Sequence, residues 1–280
     1  FKVPLIVHTF HGHVFHSYFG KFKTAIFKAI ERKLAKKSTQ IIAISQLQKE
    51  ELVNDFKICK AKKITVVPLG FDLLKFQENR IEARKITRQQ FGIQEDEVAI
   101  AIIGRLAPIK DHAFFLDVIS SVAQQTTKKL KVFIVGDGEE RSALEKQLKT
   151  IPTNDHFSIT LTSWIKDIAQ FNPGMDVICL TSKNEGTPVS LIEAQACNVP
   201  VISTDVGGVR DIVLENETGF IVTKGDHLEY TQKLLELIED DTKRKAMSEK
   251  GWEFVKEKFH YTTLVKNMEE LYKRLLVEKQ

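Results

Sequence analysis

Residues 182–200 read SKNEGTPVSLIEAQACNVP. Gly186 permits a turn that a residue with a Cβ resists. Pro188 suits the first turn of a helix, where its missing N–H costs nothing. Free N–H groups at such a helix start attract anions. Glu185 precedes the helix and Glu193 lies inside it, so both carboxylates can face a ligand at a sheet edge. Carboxylates are good acceptors for the paired hydroxyls of a ribose or sugar ring. The plainer alternative has Glu185 complementing the helix dipole and Glu193 simply exposed. Asn198 closes the helix as the second choice, after Gly, for a left-handed cap.

Apolar strands flank this stretch: DVICLTS (176–182) before it, PVISTDVGG (200–208) after it, then the short GFIV (219–222). Upstream the alternation continues. VAIAIIGRL (98–106) is a strand, DHAFFLDVISSVAQQ (111–125) a helix, LKVFIVGDG (130–138) a strand, EERSALEKQLKTI (139–151) a helix and FSITLTSW (157–164) a strand. Nearer the start lies a second series: strands VPLIVHT, QIIAIS and KITVVPLGFD, with helices over 21–37 and from Gln46, where Ser45 fits the N-cap. In the first of these helices Phe22, Ile26, Ile30 and Leu34 form one apolar row among Lys and Arg. That row is expected to pack on the sheet; the competing reading is contact with an anionic membrane.

Strand–helix alternation with near-continuous apolar strands argues for parallel sheets covered on both faces. The expected fold is α/β with two Rossmann-like, doubly wound domains. Residues 1–78 form a partial first domain, 79–96 a linker with a short helix, 97–250 a second domain and 251–280 a C-terminal helix. The chain lacks an initial Met and opens directly into FKVPLIVHT, so it reads as starting inside a domain. In such folds ligands bind beyond the carboxyl ends of the strands.

Composition narrows the function classes. The chain is 42% hydrophobic and 28% charged, as soluble globular proteins are. A formal charge of +4 gives no case for a nucleic-acid partner. The 3 Cys (Cys59, Cys179, Cys197) are odd in number and far apart, so neither a disulfide framework nor a Cys-based zinc site follows. A reducing, cytoplasmic setting is the simpler reading. No apolar run approaches the roughly 20 residues of a membrane span, and no signal peptide is visible.

The strand-end loops carry the chemistry. In GRLAPIK, Gly104 ends the strand, and Arg105 and Lys110 put two cations at the mouth of the sheet, suited to an anion such as a diphosphate. Two solvated surface charges are the alternative. VGDGEE holds Gly136 and Gly138 but lacks the third Gly of the dinucleotide fingerprint, which favours an ordinary strand-to-helix turn.

Taken in order and spacing, GRLAPIK, VGDGEER, SKNEGTPVSLIEAQACNVPVISTDVGGVRDIV and NETGFIV resemble the donor domain of retaining glycosyltransferases with the GT-B fold, of the family 4 or group 1 type. KITVVPLGFDLLKF is similar to the motif that ends the first domain in that family, usually Pro-Asn-Gly-Val-Asp. The resemblance runs from Val7 to about Phe259. It implies a metal-independent enzyme without a cofactor, taking a nucleotide-sugar, by bacterial habit a UDP-sugar, as donor. The implied acceptor is a glycan or a lipid-linked glycan, in polysaccharide or glycolipid assembly, with peripheral membrane contact as an option. Arg105 and Lys110 would hold the diphosphate, Glu193 the ribose, and Glu185 the donor sugar. The backbone near Gly186, Thr187, Pro188 and Val189 would face sugar and diphosphate, and Ser163, Trp164 and Ile165 the base. Ser163 stands where the family often has Gly, Leu69 where it has Asn, and Asn198 where it has Gly. The family's opening strand and Gly-rich loop have no match here, so a non-catalytic nucleotide-sugar-binding module and an inactive fragment stand as alternatives. An epimerase or phosphorylase of the same fold is a further one, but the donor motifs look like those of transferases.

One patch remains. HTFHGHVFH (8–16) holds four of the chain's 8 His. No carboxylate lies among them, and zinc sites want a defined ligand set, so a metal is disfavoured. The family often has a single His after this strand, on the acceptor side of the cleft. His11, followed by Gly12, fits best as the group that would hydrogen-bond the donor sugar. His8 reads as buried structure, and His13 and His16 as loop residues.

Overall fold

The computed structural model describes residues 3–11 and 21–279. The strands are β1 (Val7–Phe10), β2 (Gln40–Ala43), β3 (Ile64–Val66), β4 (Glu97–Ile103), β5 (Lys129–Val135), β6 (Phe157–Leu161), β7 (Val177–Leu180), β8 (Val201–Thr204) and β9 (Gly219–Val222). The helices are α1 (Lys21–Lys37), α2 (Gln46–Glu50), α3 (Arg80–Gln90), α4 (His112–Ala123), α5 (Arg141–Leu148), α6 (Ile168–Phe171), α7 (Val189–Ala196), α8 (His227–Glu239), α9 (Asp241–Phe259) and α10 (Tyr261–Val277). The chain divides into two units: unit 1 is Phe1–Asp72, Glu185–Thr187 and Glu257–Gln280, and unit 2 is Leu73–Asn184 and Pro188–Lys256.

Unit 1 holds a parallel sheet in the order β1-β2-β3, with Val7 opposite Gln40 and Ile41 opposite Ile64. Successive strand side chains point to opposite faces, and both faces are covered. Ile41 and Ala43 enter one cluster with Phe10, Ala35, Leu52 and Phe56. Ile42 enters another with Val67, Leu271 and Leu275 of α10. Ser45 caps α2, its hydroxyl accepting from Gln48 N at 3.1 Å. His260, between α9 and α10, has extended backbone and caps α10 by accepting from Thr262 N.

The expected packing of α1 needs correction. Its apolar row points outward: Phe22 is 79% exposed, Ile26 46%, Ile30 47% and Leu34 42%. The side toward the sheet is mostly polar. Ala35 is buried, Lys28 Nζ lies 4.6 Å from the Phe56 ring centroid, and Glu31 Oε2 lies 3.5 Å from His8 Nε2. Arg32 donates to Phe56 O at 2.8 Å and to Lys57 O at 3.0 Å. At about 100° per residue, 28, 31 and 35 fall nearly opposite 22, 26, 30 and 34.

Unit 2 is a six-stranded parallel sheet in the order β6-β5-β4-β7-β8-β9. The seven-residue β4 and β5 run through its middle, pairing from Glu97–Lys129 to Ile103–Val135. Ile100, Ile102, Val132 and Ile134 join Phe115, Leu116 and Ile119 of α4 in one core. Tyr230 of α8 is fully buried there and donates its hydroxyl to Ile202 O at 3.0 Å; burial pushes its phenol well above the ordinary range.

Residues 79–96 are not a linker. They hold α3, which is clamped to unit 2 through Asp176: Arg84 reaches its Oδ1 at 2.7 Å and Arg88 its Oδ2 at 3.1 Å. Ala99 N also donates to Asp176 Oδ2 at 2.8 Å, and Thr87 donates to Gln170 O at 2.7 Å. The buried residues of α3 are Ala83 and Thr87, so it lacks the strong apolar period that marks a packed helix in sequence. The chain passes between the units at Asp72/Leu73, Asn184/Glu185, Thr187/Pro188 and Lys256/Glu257, not at residues 78 and 251.

Candidate active site

In unit 2 the strand order reverses at β4: β5 and β6 lie to one side, β7, β8 and β9 to the other. The carboxyl ends of β4 and β7 flank this reversal, the place where doubly wound sheets bind ligands. The loop after β4 carries Gly104, Arg105 and Lys110. It lies directly on the loop after β5. Gly104 N donates to Val135 O, Leu106 N to Asp137 O and Glu140 N to Leu106 O, each at 3.0 Å. A Cβ on Gly136 would stand 1.9 Å from Gly104 O, and one on Gly138 2.4 Å from Leu106 O. The glycines of VGDG thus serve a backbone crossing that no side chain could enter.

The start of the β7 loop is fastened to the same place. Lys183 N donates to Ile109 O at 2.8 Å. The Thr181 hydroxyl is shared between Lys110 O and Asp111 O at 3.0 and 3.1 Å. Lys183 Nζ pairs with Asp111 at 3.2 Å. Asp111 holds a left-handed backbone, φ 51°, which Asp tolerates better than most residues.

On this scaffold the two predicted cations take definite positions. Arg105 is exposed and forks onto Glu139 Oε2, from Nε at 3.1 Å and from the terminal nitrogen at 3.0 Å. Exposed pairs of this kind are worth about 0–1 kcal/mol, so an incoming anion can take the guanidinium over. The Lys110 stem folds back over Gly104, its Cε 3.6 Å from where a Cβ would be. His112, the first residue of α4, is fully buried with neither ring nitrogen hydrogen-bonded. Burial, aided by the Lys110 charge and opposed by Asp111, brings its pKa down to about 4, so the ring is neutral at physiological pH.

The remaining predicted residues divide between the units. Ser163 and Trp164 are exposed on the loop after β6 and Ile165 is half-buried. The Ser163 carbonyl already accepts from the Thr162 hydroxyl at 2.7 Å. Pro188 stands at the N-cap of α7, not in its first turn; φ −72° and ψ 91° place it on extended backbone, and Val189 begins the helix. Asn198 has the expected left-handed φ, 57°, and its side chain accepts from Gln77 at 2.7 Å and donates to Ser248 O at 2.8 Å. Glu193 is half-buried on α7; burial raises its carboxyl pKa against the pull of Lys75. Glu185, Gly186 and Thr187, each half-buried in the β7–α7 loop, group with unit 1. His11 is exposed just past β1 in unit 1.

Of the His patch, His8 and His11 lie among the described residues. His8 is half-buried, paired with Glu31 and set edge-on to the Phe10 ring at 4.8 Å. His13 and His16 lie outside the described residues. Among the described residues no group of three or more His, Cys, Asp or Glu could hold a metal ion. Sequence reasoning missed Glu139, Asp111 and Lys183. None of the three had a signal within its own loop, since each pairs across two strand-end loops.

Residues 83–254 match the model of "Glycosyl transferases group 1", and residues 2–74 match that of "Glycosyltransferase Family 4". The chain belongs to the group 1 glycosyltransferases; it is a transferase of the sugar-transferring class. It is similar to the capsular polysaccharide biosynthesis glycosyltransferase CapM of Staphylococcus aureus, with 28% identity over 99% of this chain and 72% of that protein. It is also similar to an Escherichia coli UDP-Gal:alpha-D-GlcNAc-diphosphoundecaprenol alpha-1,3-galactosyltransferase, at 28% identity over 99% of this chain and 71% of that one. Anabaena HepE, solved in complex with UDP-glucose, superposes with a TM-score of 0.79 at 21% identity, covering 96% of this chain and 72% of HepE. That likeness shows the fold.

Proposed function

We propose that the protein moves a hexosyl group from a UDP-sugar to a glycan or lipid-linked acceptor, with retention and with protein cations in place of a metal ion. The observation that carries this is the pair Arg105 and Lys110 on one loop beside the reversal of strand order. The UDP donor is supported by the UDP-glucose bound to HepE and the UDP-Gal in the name of the E. coli relative. The acceptor class is supported by the capsular polysaccharide in one relative's name and the undecaprenol diphosphate in the other's.

Breaking the bond between the anomeric carbon and the diphosphate oxygen leaves positive charge on the sugar, as in glycoside hydrolysis, and negative charge on the leaving group. Preorganised donors placed where that charge develops lower the barrier most. Arg105, passed from Glu139 to the diphosphate, and Lys110 supply them, with the backbone of Gly186, Thr187 and Val189 at the start of α7. Within unit 2, Glu193 accepts from the ribose hydroxyls and Ser163, Trp164 and Ile165 border the base; in unit 1, Glu185 and His11 are the candidates that the family resemblance implies for the sugar.

Turnover with a UDP-sugar tests the reading. Arg105→Ala and Lys110→Ala each lower kcat/KM about 10²-fold, the scale for losing one such donor; near-normal rates in both sink it. Glu193 gives a pH arm. Its ionised form is the acceptor and its pKa is raised, so donor KM climbs on acidification earlier than an ordinary Glu would allow. Glu193→Gln flattens that climb at a higher KM. It also stabilises the fold at neutral pH, because a raised carboxyl loses stability as pH rises from its unfolded pKa to its folded one.

A further inference from the structure

We propose that the Thr181 hydroxyl is the positioning group for the Lys110 ammonium. This rests on the sugar-transfer reading, in which Lys110 meets the donor diphosphate, and names what sets that cation in place. Thr181 stands directly after β7 and is 2% exposed. Its single hydroxyl proton is shared by two successive carbonyls, those of Lys110 and Asp111. Between the two lies the α-carbon of Asp111, whose backbone is left-handed, φ 51°. Residues with a Cβ disfavour that region, and such a conformation persists only where its surroundings hold it. The Lys110 amide is tied as well, donating to Ala107 O at 2.9 Å. Lys110 is thus held by its amide and by its carbonyl, and its stem lies against Gly104.

Little else braces this point. A cavity of ≈ 350 Å³ opens beside it, lined in part by Asp111, Thr181 and Lys183, so packing does not support the loop on that side. The bond from Lys183 N ends at Ile109 O, one residue short of Lys110. The Lys183–Asp111 pair spans the same loops, but the Lys183 side chain is 52% exposed, and ion pairs open to water add little. His112, next in the chain, is buried with neither ring nitrogen hydrogen-bonded, so it gives the loop no polar hold. The buried hydroxyl of Thr181 is what remains. It acts through Lys110: a charge displaced by about 1 Å from its counter-charge costs up to about 10²-fold.

Calorimetry of UDP binding to the 280-residue chain tests this. Thr181→Val keeps the shape and removes the hydroxyl; UDP affinity is expected to fall about tenfold, the factor for one net hydrogen bond. Thr181→Ser keeps the hydroxyl and should stay within about twofold of wild type on the same scale. The decisive arm is the double variant. In a Lys110→Ala background, Thr181→Val should cost under about twofold more, because the group it places is gone and the two effects are coupled. Undiminished UDP affinity in Thr181→Val, with the expected fall in Lys110→Ala, overturns the role of Thr181 alone. So does a Thr181→Ser variant as weak as Thr181→Val, or a full Thr181→Val loss that persists without the Lys110 ammonium, which marks a general loosening of the site. A Lys110→Ala variant that binds UDP as well as wild type, or a wild-type chain that binds none, overturns the diphosphate reading and the role of Thr181 with it.

Discussion

Helices α1 and α10 both belong to unit 1, both have 17 residues, and each carries four apolar residues at helical spacing. They use those residues in opposite ways. Leu264, Met268, Leu271 and Leu275 of α10 turn inward onto Ile42 and Val67, leaving Leu271 4% and Leu275 3% exposed. The matching row of α1 turns outward, and the helix is held from behind by polar groups: Arg32 on two carbonyls, Glu31 beside His8, Lys28 over Phe56. An apolar period therefore establishes a helix and an apolar side. It does not say what that side meets.

The sharpest way to break the comparison is to truncate the buried row. Leu271→Ala removes a fully packed side chain, and large-to-small changes at such sites cost about 2–5 kcal/mol. Urea unfolding, read by circular dichroism, should lose stability in that range. A loss under about 1 kcal/mol would mean that α10 does not rely on this row and that the two helices are alike after all.

A smaller effect tests the polar attachment of α1. Arg32→Ala leaves the carbonyls of Phe56 and Lys57 without their shared donor, at a site with partial solvent access. A net hydrogen bond is worth about 1 kcal/mol, and that is the expected loss. Arg32→Lys should recover only part of it, because an ammonium lacks the planar fork that reaches both oxygens. Full recovery with Lys would show that charge near the sheet edge, not the fork, holds the helix.

The same contrast explains what could be read from the sequence. The strand-end loops of unit 2 were legible because their glycines are forced: the crossing of Gly136 over Gly104 leaves no room for a Cβ, so backbone geometry is written directly into residue type. Asn198 was legible for the same reason, since its left-handed backbone needs Gly or a close substitute. The short helix α3 was legible but its attachment was not, because Arg84 and Arg88 fix it through one carboxylate 88 to 92 residues away, and a polar clamp leaves no local period. Glu139 was visible only as a charge; its role depends on two loops meeting, which no spacing within one loop reveals. The orientation of α1 failed differently. Burial is a property of what surrounds a helix, and the row Phe22–Leu34 has the same period whether it meets a sheet, a membrane or water.

The smallest expected effect is therefore the most telling. Ile26→Ala and Ile30→Ala each delete a branched side chain from the exposed row. Exposed substitutions usually fall within about 0.5 kcal/mol, and Ala is the better helix former, which offsets the apolar packing that a shorter side chain gives up along the helix surface. Both variants should unfold at wild-type urea concentrations, although the same kind of truncation at Leu271 does not. If either variant loses as much as Leu271→Ala, the row is packed against something in solution, and the opposite uses of the two helices collapse into one. If neither does, the apolar surface of α1 contributes nothing measurable to the fold that displays it, and the opposite uses of the two helices stand.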